Sequence, residues 1–175
     1  MNVPNILTTI RFLLIPIFIY IFFHEGESSI IYATYIFILA GITDVLDGYL
    51  ARRFNLITKW GQAMDPLADK LMLITVLICF TISKHIPLWV IVIVGIKEIL
   101  MIFGGFFLYY RKDKIVIPAN KFGKIATVNF YIAILYTAFK GPYSIIVITF
   151  AIMFTLFALI KYTINFKELH DKISS

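Results

Sequence analysis

The chain has 175 residues, of which 61% are hydrophobic and only 15% are charged, and its mean hydropathy is +0.91. This composition excludes an ordinary soluble domain and predicts an all-α, polytopic membrane protein, organised as a single domain over residues 1–175. The net charge of +6 would favour nucleic acid binding in a soluble protein, but the lysines and arginines here lie beside apolar spans, so we exclude nucleic acid as a partner.

Six apolar stretches have the length that a bilayer core requires, about 20 residues each. They predict transmembrane helices over Ile6–Phe23, Ile30–Ala51, Gln62–Ser83, Pro87–Tyr110, Phe122–Phe139 and Tyr143–Ile164. Positive residues mark the cytoplasmic side of such a protein. Only Lys84 and Lys140 fall on one side, whereas the other side carries Arg52, Arg53, Lys59, Arg111, Lys112, Lys114, Lys121, Lys124, Lys161, Lys167 and Lys172. Both termini should therefore face the cytoplasm, and the tail after the last span is expected to form a short cytoplasmic helix.

The amino-terminal segment Met1 to Ile6 contains Pro4 and is predicted to lie at the membrane interface. Asn5, Thr8 and Arg11 then recur at helical spacing on one face. The sequence allows two interpretations of these residues. In the first, Asn5 caps the helix and Arg11 extends to the membrane surface. In the second, all three residues form a polar stripe that faces a ligand.

Four aspartates lie in or beside the second and third apolar stretches, where an ionised carboxylate is costly unless it is paired or bound to a cation. Asp44 and Asp47 stand three residues apart, and Asp65 and Asp69 stand four apart, so each pair occupies one helix face. Because a polar loop joins the two helices, they should be antiparallel neighbours. At about 1.5 Å rise per residue, all four carboxylates then lie at a similar depth below the cytoplasmic surface.

Oxygen ligands without a nearby histidine or cysteine favour a hard divalent cation, Mg²⁺ or Mn²⁺. The small residues Gly48, Ala51 and Gly61 would let a bulky ligand approach on the same side, and Arg52 would offer a charge to a phosphate. The competing interpretation is a polar packing patch in which Arg52 pairs with an aspartate.

Lys97 and Glu98 lie inside the fourth apolar stretch, which again requires a partner or a polar cavity. Adjacent residues point in different directions on a helix, so we do not expect these two to pair with each other. Cys79, the only cysteine, lies in an apolar run and is expected to be a buried structural thiol. The basic segment from Arg111 to Lys124 is expected to meet lipid headgroups.

The aspartate region resembles the signature of the CDP-alcohol phosphotransferases. The pattern D-x-x-D-G-x-x-A-R, eight further residues, then G-x-x-x-D-x-x-x-D is matched at every position, by Asp44, Asp47, Gly48, Ala51, Arg52, Gly61, Asp65 and Asp69. The opening PNILTTIR is also similar to the start of related enzymes, part of which lies near the cytidine nucleotide.

The resemblance implies a membrane enzyme that transfers a phosphatidyl group from CDP-diacylglycerol to an alcohol and releases CMP. It implies that Asp44, Asp47, Asp65 and Asp69 hold two Mg²⁺ or Mn²⁺ ions and that Asp69 also acts as the base. The residues that it assigns to the CDP group are Asn5, Thr8, Gly48, Ala51, Arg52 and Gly61. Related enzymes are commonly homodimers, so the resemblance implies a homodimer here as well.

The acceptor that the resemblance implies is glycerol 3-phosphate, with Lys97, Lys121 and Lys124 as phosphate anchors. Two positions depart from that branch of the family. Lys97 stands where arginine is usual, and Ala126 replaces the second lysine of a G-K-x-K-T segment. These departures leave phosphatidylglycerol, inositol phosphate and serine open as acceptors.

Two functions outside this class also remain open. Carboxylates in membrane spans mark ion pathways, so transport of divalent cations is one alternative. However, all four acids lie near one predicted surface, which favours a surface site. A non-catalytic membrane scaffold is the other alternative.

Overall fold

The computed structural model describes residues 3–24, 26, 28–54, 56, 58–110, 121–139 and 141–174, without the side chains of 59, 62, 63, 101–110, 121–124 and 162–174. The described residues form six helices and no strand. The helices are α1 (Val3–Phe22), α2 (Ser29–Arg53), α3 (Lys59–Ile82), α4 (Leu88–Tyr110), α5 (Lys121–Ala138) and α6 (Ser144–Ser174). The chain divides into two units, Met1–Ile86 and Pro87–Ser175.

In the first unit, α1 packs against both α2 and α3, and it does so more extensively than those two helices pack against each other. Its buried residues recur every three or four positions and therefore lie along one face: Pro4, Thr8, Arg11, Leu14, Phe18 and Phe22. At the far end of this face Phe22 stacks on Phe18, with ring centroids 5.6 Å apart, and meets Phe80 of α3 at 5.1 Å. The aromatic contacts fix one end of α1 against α3 and leave the polar residues at the other end.

In the second unit, α6 packs against both α5 and α4. Small residues such as Ala133 and Ala151 are buried, which allows close approach of helices. The turn between α5 and α6 is tight at Gly141, whose backbone N–H donates to the carbonyl of Tyr136. A Cβ atom at Gly141 would overlap the Tyr136 ring, so glycine is required there.

The outward faces of the helices are apolar. Side chains such as Tyr20, Val45 and Phe150 are about two-thirds exposed, and a water-soluble protein would not display so many of them. Among the described residues, three helical segments are long and apolar enough to cross a membrane, Val3–Phe22, Ser29–Arg53 and Ser144–Lys161. These segments support a membrane protein, as the composition predicts.

The described residues form a helix at each of the six predicted spans, with two differences at the ends. That all six cross a membrane stays a prediction. The chain is already helical from Val3, so the predicted interfacial segment is part of α1 wherever it is described. Proline is tolerated in the first turn of a helix, where its missing N–H has no partner to lose, and Pro4 therefore does not delay α1. The tail is helical as expected, and it continues α6 without a break to Ser174.

Candidate active site

Two aspartates of α2 face one arginine of α1. Nη1 of Arg11 lies 2.7 Å from Oδ1 of Asp44, and Nη2 forms an ion pair with Oδ2 of Asp47. Asp47 is buried, whereas the side chain of Asp44 is 41% exposed. One guanidinium therefore gathers both acids, which are one helical turn apart, as their spacing predicts.

The interpretation in which Arg11 extends to the membrane surface is wrong, because its side chain is only 1% exposed. A buried guanidinium needs acceptors, and the carboxylates of Asp44 and Asp47 supply them. The alternative in which Arg52 pairs with an aspartate is also wrong, because Arg11 is the partner of Asp44 and Asp47. Arg52 is exposed, and its Nε donates to the carbonyl oxygen of Gly48 at 2.9 Å.

The third helix brings Asp65 to the same place. The hydroxyl of Thr8 on α1 lies 2.5 Å from Oδ1 of Asp65, and Nη1 of Arg11 donates to the Asp65 backbone carbonyl at 3.4 Å. The negative charges of Asp65 and Asp69 act on Asp44, and those of Asp44 and Asp65 act on Asp47. The four predicted acids thus share one electrostatic environment, at the junction of α1, α2 and α3.

A short hydrogen-bond chain ties the start of α3 to α1. The Thr58 hydroxyl accepts from the Gly61 backbone N–H at 3.0 Å, which caps α3, and donates to Oδ1 of Asn5 at 3.0 Å. Asn5 therefore does not cap α1. It lies inside the helix, and its side chain reaches across to α3. The sequence analysis did not identify Thr58. A threonine directly before the first residue of a helix is a common start signal, and this signal could have identified it.

Replacing Thr58 by valine removes both hydrogen bonds while keeping the side-chain volume. We expect the variant to lose about 1–2 kcal/mol of stability, because a helix cap and an interhelical bond are lost together. The midpoint of thermal unfolding in detergent measures this effect. Thr58→Ser retains the hydroxyl and should unfold close to the unsubstituted protein; an equal loss in both variants would contradict the role given to the hydroxyl.

Gly61 is enclosed by the oxygens of this region. A Cβ atom there would lie 3.1 Å from both Asn5 Oδ1 and Thr58 Oγ1, and 3.6 Å from Asp65 Oδ2. Gly48 is different, since a Cβ atom there would meet only Nη2 of Arg52, at 3.7 Å. The close oxygens of neighbouring side chains therefore account for the glycine at position 61. Among the described residues, the space beside Gly48 is open to a ligand.

The donor chemistry of the cluster fits a hard divalent cation, because it consists of carboxylates with additional hydroxyl and amide oxygens. Within the residues that the structure describes, no three Asp, Glu, His or Cys side chains are already arranged to hold a metal ion. One oxygen each of Asp44 and Asp47 contacts Arg11, and Oδ1 of Asp65 accepts from Thr8. The assignment of these acids as metal ligands stays a prediction.

In the second unit, the expectation that Lys97 and Glu98 do not pair is wrong. Nζ of Lys97 lies 2.5 Å from Oε1 of Glu98. The four-carbon stem of lysine is long enough to bend across the helix surface, and apolar surroundings favour the nearest opposite charge. The predicted phosphate anchors Lys121 and Lys124 lie at the start of α5, and their side chains are outside the described residues. Ala126 is buried, as is the thiol of Cys79, which confirms the structural role expected for the cysteine.

Comparison with known proteins matches the family described as CDP-alcohol phosphatidyltransferase to residues 1–157. Three relatives are each named CDP-diacylglycerol–glycerol-3-phosphate 3-phosphatidyltransferase. The Rickettsia felis protein is 32% identical over 142 residues, which cover 80% of this chain and 77% of the relative. The Bacillus subtilis protein is 36% identical over 138 residues, 72% of this chain and 70% of the relative.

The Pseudomonas fluorescens protein is 46% identical over 89 residues, 51% of this chain and 45% of the relative. The chain thus spans about half the length of some curated relatives that it matches and about three-quarters of others. The family match itself extends over most of the chain and includes every residue of the three-helix cluster around Arg11. This chain belongs to the CDP-alcohol phosphatidyltransferase family.

Proposed function

We propose that the protein transfers the phosphatidyl group of CDP-diacylglycerol to glycerol 3-phosphate, forming phosphatidylglycerophosphate and releasing CMP. The observation that carries this proposal is the gathering of Asp44, Asp47 and Asp65 around Arg11 in a chain of this family. The names of the relatives support the choice of donor and acceptor, since each names these two substrates.

In the proposed reaction, a hydroxyl oxygen of glycerol 3-phosphate forms a bond to the phosphatidyl phosphorus. The bond from that phosphorus to the CMP oxygen breaks, and CMP leaves with the electron pair. Asp69 accepts the hydroxyl proton, which requires close positioning of the carboxylate more than high basicity. Asp69 lies one turn after Asp65 on α3, and its charge acts on Asp44, which supports a place in the same site.

The four aspartates would hold Mg²⁺ or Mn²⁺, as two ions. When bound, these ions would supply positive charge to the diphosphate of the donor and to the leaving phosphate. The residues proposed to contact the CDP group are Asn5, Thr8, Gly48, Ala51, Arg52 and Gly61. The bonds of Asn5 to Thr58 and of Thr8 to Asp65 support including the start of α1 in this set.

Lys97, Lys121 and Lys124 remain the proposed anchors of the acceptor phosphate, on the resemblance alone. The membrane arrangement proposed here has all six helices crossing the bilayer, with the aspartates near the cytoplasmic surface, and a homodimer as the assembly. The charge bias of the flanking segments supports this orientation.

Substrate identity is tested by offering single acceptors to the purified protein. The protein is incubated with CDP-diacylglycerol, Mg²⁺ and one of glycerol 3-phosphate, inositol phosphate, serine or phosphatidylglycerol, and the lipid product is measured by mass spectrometry. We expect phosphatidylglycerophosphate and an equal amount of CMP. Product only with another acceptor would change the branch, and Mg²⁺ flux into liposomes without CMP release would favour a transporter.

The open side of Gly48 gives a prediction about the donor. Among the described residues, an alanine at position 48 would make only an ordinary contact with Nη2 of Arg52 at 3.7 Å, and alanine favours a helix over glycine by about 0.5–1 kcal/mol. We therefore expect Gly48→Ala to unfold at the same or a higher temperature and yet to show a KM for CDP-diacylglycerol at least about 10-fold higher, because one misplaced methyl group disturbs a close contact. An unchanged KM would remove Gly48 from the donor site.

A further inference from the structure

Arg11 is the residue that connects all three helices of the first unit at the acid cluster. It comes from α1, contacts Asp44 and Asp47 of α2 through different nitrogens, and reaches the Asp65 backbone carbonyl of α3. The family signature along α2 and α3 does not include it, although Arg11 ends the PNILTTIR opening that is similar to related enzymes. Its role follows from these contacts.

Arg11 has no route to water. Its side chain is 1% exposed, and Nε is buried without a hydrogen-bond partner among the described residues. Removing the carboxylates would leave an uncompensated buried cation, which is strongly unfavourable. The guanidinium is therefore fixed beside Asp44 and Asp47 and offsets part of the repulsion among the acids.

The contacts of Arg11 leave each acid able to accept another partner. The guanidinium engages Oδ1 of Asp44 and Oδ2 of Asp47, and a carboxylate accepts through both of its oxygens. Asp44 is also the more exposed of the two, so it offers the approach from outside. Arg11 thus occupies one oxygen of each carboxylate and leaves the other oxygen to a further partner.

We infer that Arg11 is a positioning residue of the divalent-metal site, which orients Asp44 and Asp47 by holding one oxygen of each. This inference rests on the proposed metal-binding function of the cluster. The role depends on the fork of the guanidinium, which presents two separate nitrogens to two carboxylates. A lysine at this position would keep the charge but would lose that geometry.

The experiment measures metal binding and stability in the purified full chain without substrate. Mn²⁺ binding is followed by electron paramagnetic resonance, and thermal unfolding is followed in EDTA, for the unsubstituted protein, Arg11→Lys and Arg11→Gln. We expect Mn²⁺ affinity to fall at least about 10-fold in Arg11→Lys, because outer partners of metal ligands typically contribute 10- to 100-fold. Arg11→Gln should show at least the same loss, with a lower unfolding midpoint in EDTA.

Other outcomes would overturn the inference. Tighter Mn²⁺ binding in Arg11→Gln would show that Arg11 competes with the ion. Unchanged affinity in Arg11→Lys, with or without a lower unfolding midpoint, would reduce Arg11 to a structural cation. Arg11→Lys retains the buried charge and decides the question if Arg11→Gln does not fold. Failure of the unsubstituted protein to bind Mn²⁺ would instead remove the metal assignment itself, together with this inference.

Discussion

Asp65→Asn is expected to lower kcat for phosphatidyl transfer by at least about 100-fold, the size of effect seen when a preorganised charge partner of the reacting groups is lost. Asparagine has nearly the same shape, and its side-chain oxygen can still accept from the Thr8 hydroxyl. The protein should therefore stay folded while the negative charge that acts on Asp44 and Asp47 disappears. CMP release at saturating donor and acceptor measures the loss.

Glu27→Gln is the matched control for Asp65→Asn. It also neutralises one carboxylate, but at a position between α1 and α2 that lies outside the signature in the sequence. Its kcat should stay close to that of the unsubstituted protein. Full turnover by Asp65→Asn, measured in the same assay, would show that the cluster is not the site of the reaction.

Gly61→Ala has the second-largest expected effect, because the new methyl group would press on two side-chain oxygens, those of Asn5 and Thr58. Its contacts with Asn5 and Thr58, at 3.1 Å, are tighter than ordinary packing, so those side chains must move. We expect about 1–3 kcal/mol of destabilisation, as is usual for an overpacked position, and at least about 10-fold lower kcat/KM. Thermal unfolding and initial rates measure the two effects separately.

Gly95→Ala is the control for Gly61→Ala. Gly95 also lies inside a helix, but a Cβ atom there would meet none of the described residues within 4 Å. This substitution should therefore keep or raise stability by the ordinary preference of helices for alanine, about 0.5–1 kcal/mol. If Gly61→Ala behaved in the same way, the enclosed position of Gly61 would have no functional importance.

The helices were predictable from the sequence because each is coded locally by an apolar run of bilayer length. The acids were predictable for a related reason. The spacing of Asp44 and Asp47 places them on one face of α2. A carboxylate in an apolar span is rare and usually indicates a functional site. The prediction that α2 and α3 present their acids together needed only the short connection between them.

The partners of the acids were not predictable in the same way. Arg11 lies more than 30 positions before Asp44, and nothing local indicates that α1 packs across both α2 and α3. The choice between surface exposure and burial for Arg11 depends on that packing. The prediction that Lys97 and Glu98 do not pair was wrong for a different reason. The direction of a helical Cβ atom does not determine where a long, flexible side chain ends.

The early start of α1 has a practical consequence for handling the protein. Asn5 and Thr8 lie within two turns of Val3, and both are bonded to the region of Asp65. Any affinity peptide or fluorescent fusion joined ahead of Val3 would begin within two helical turns of Asn5 and Thr8, the residues that contact Thr58 and Asp65. Recombinant versions made for assays should therefore carry no addition ahead of Val3.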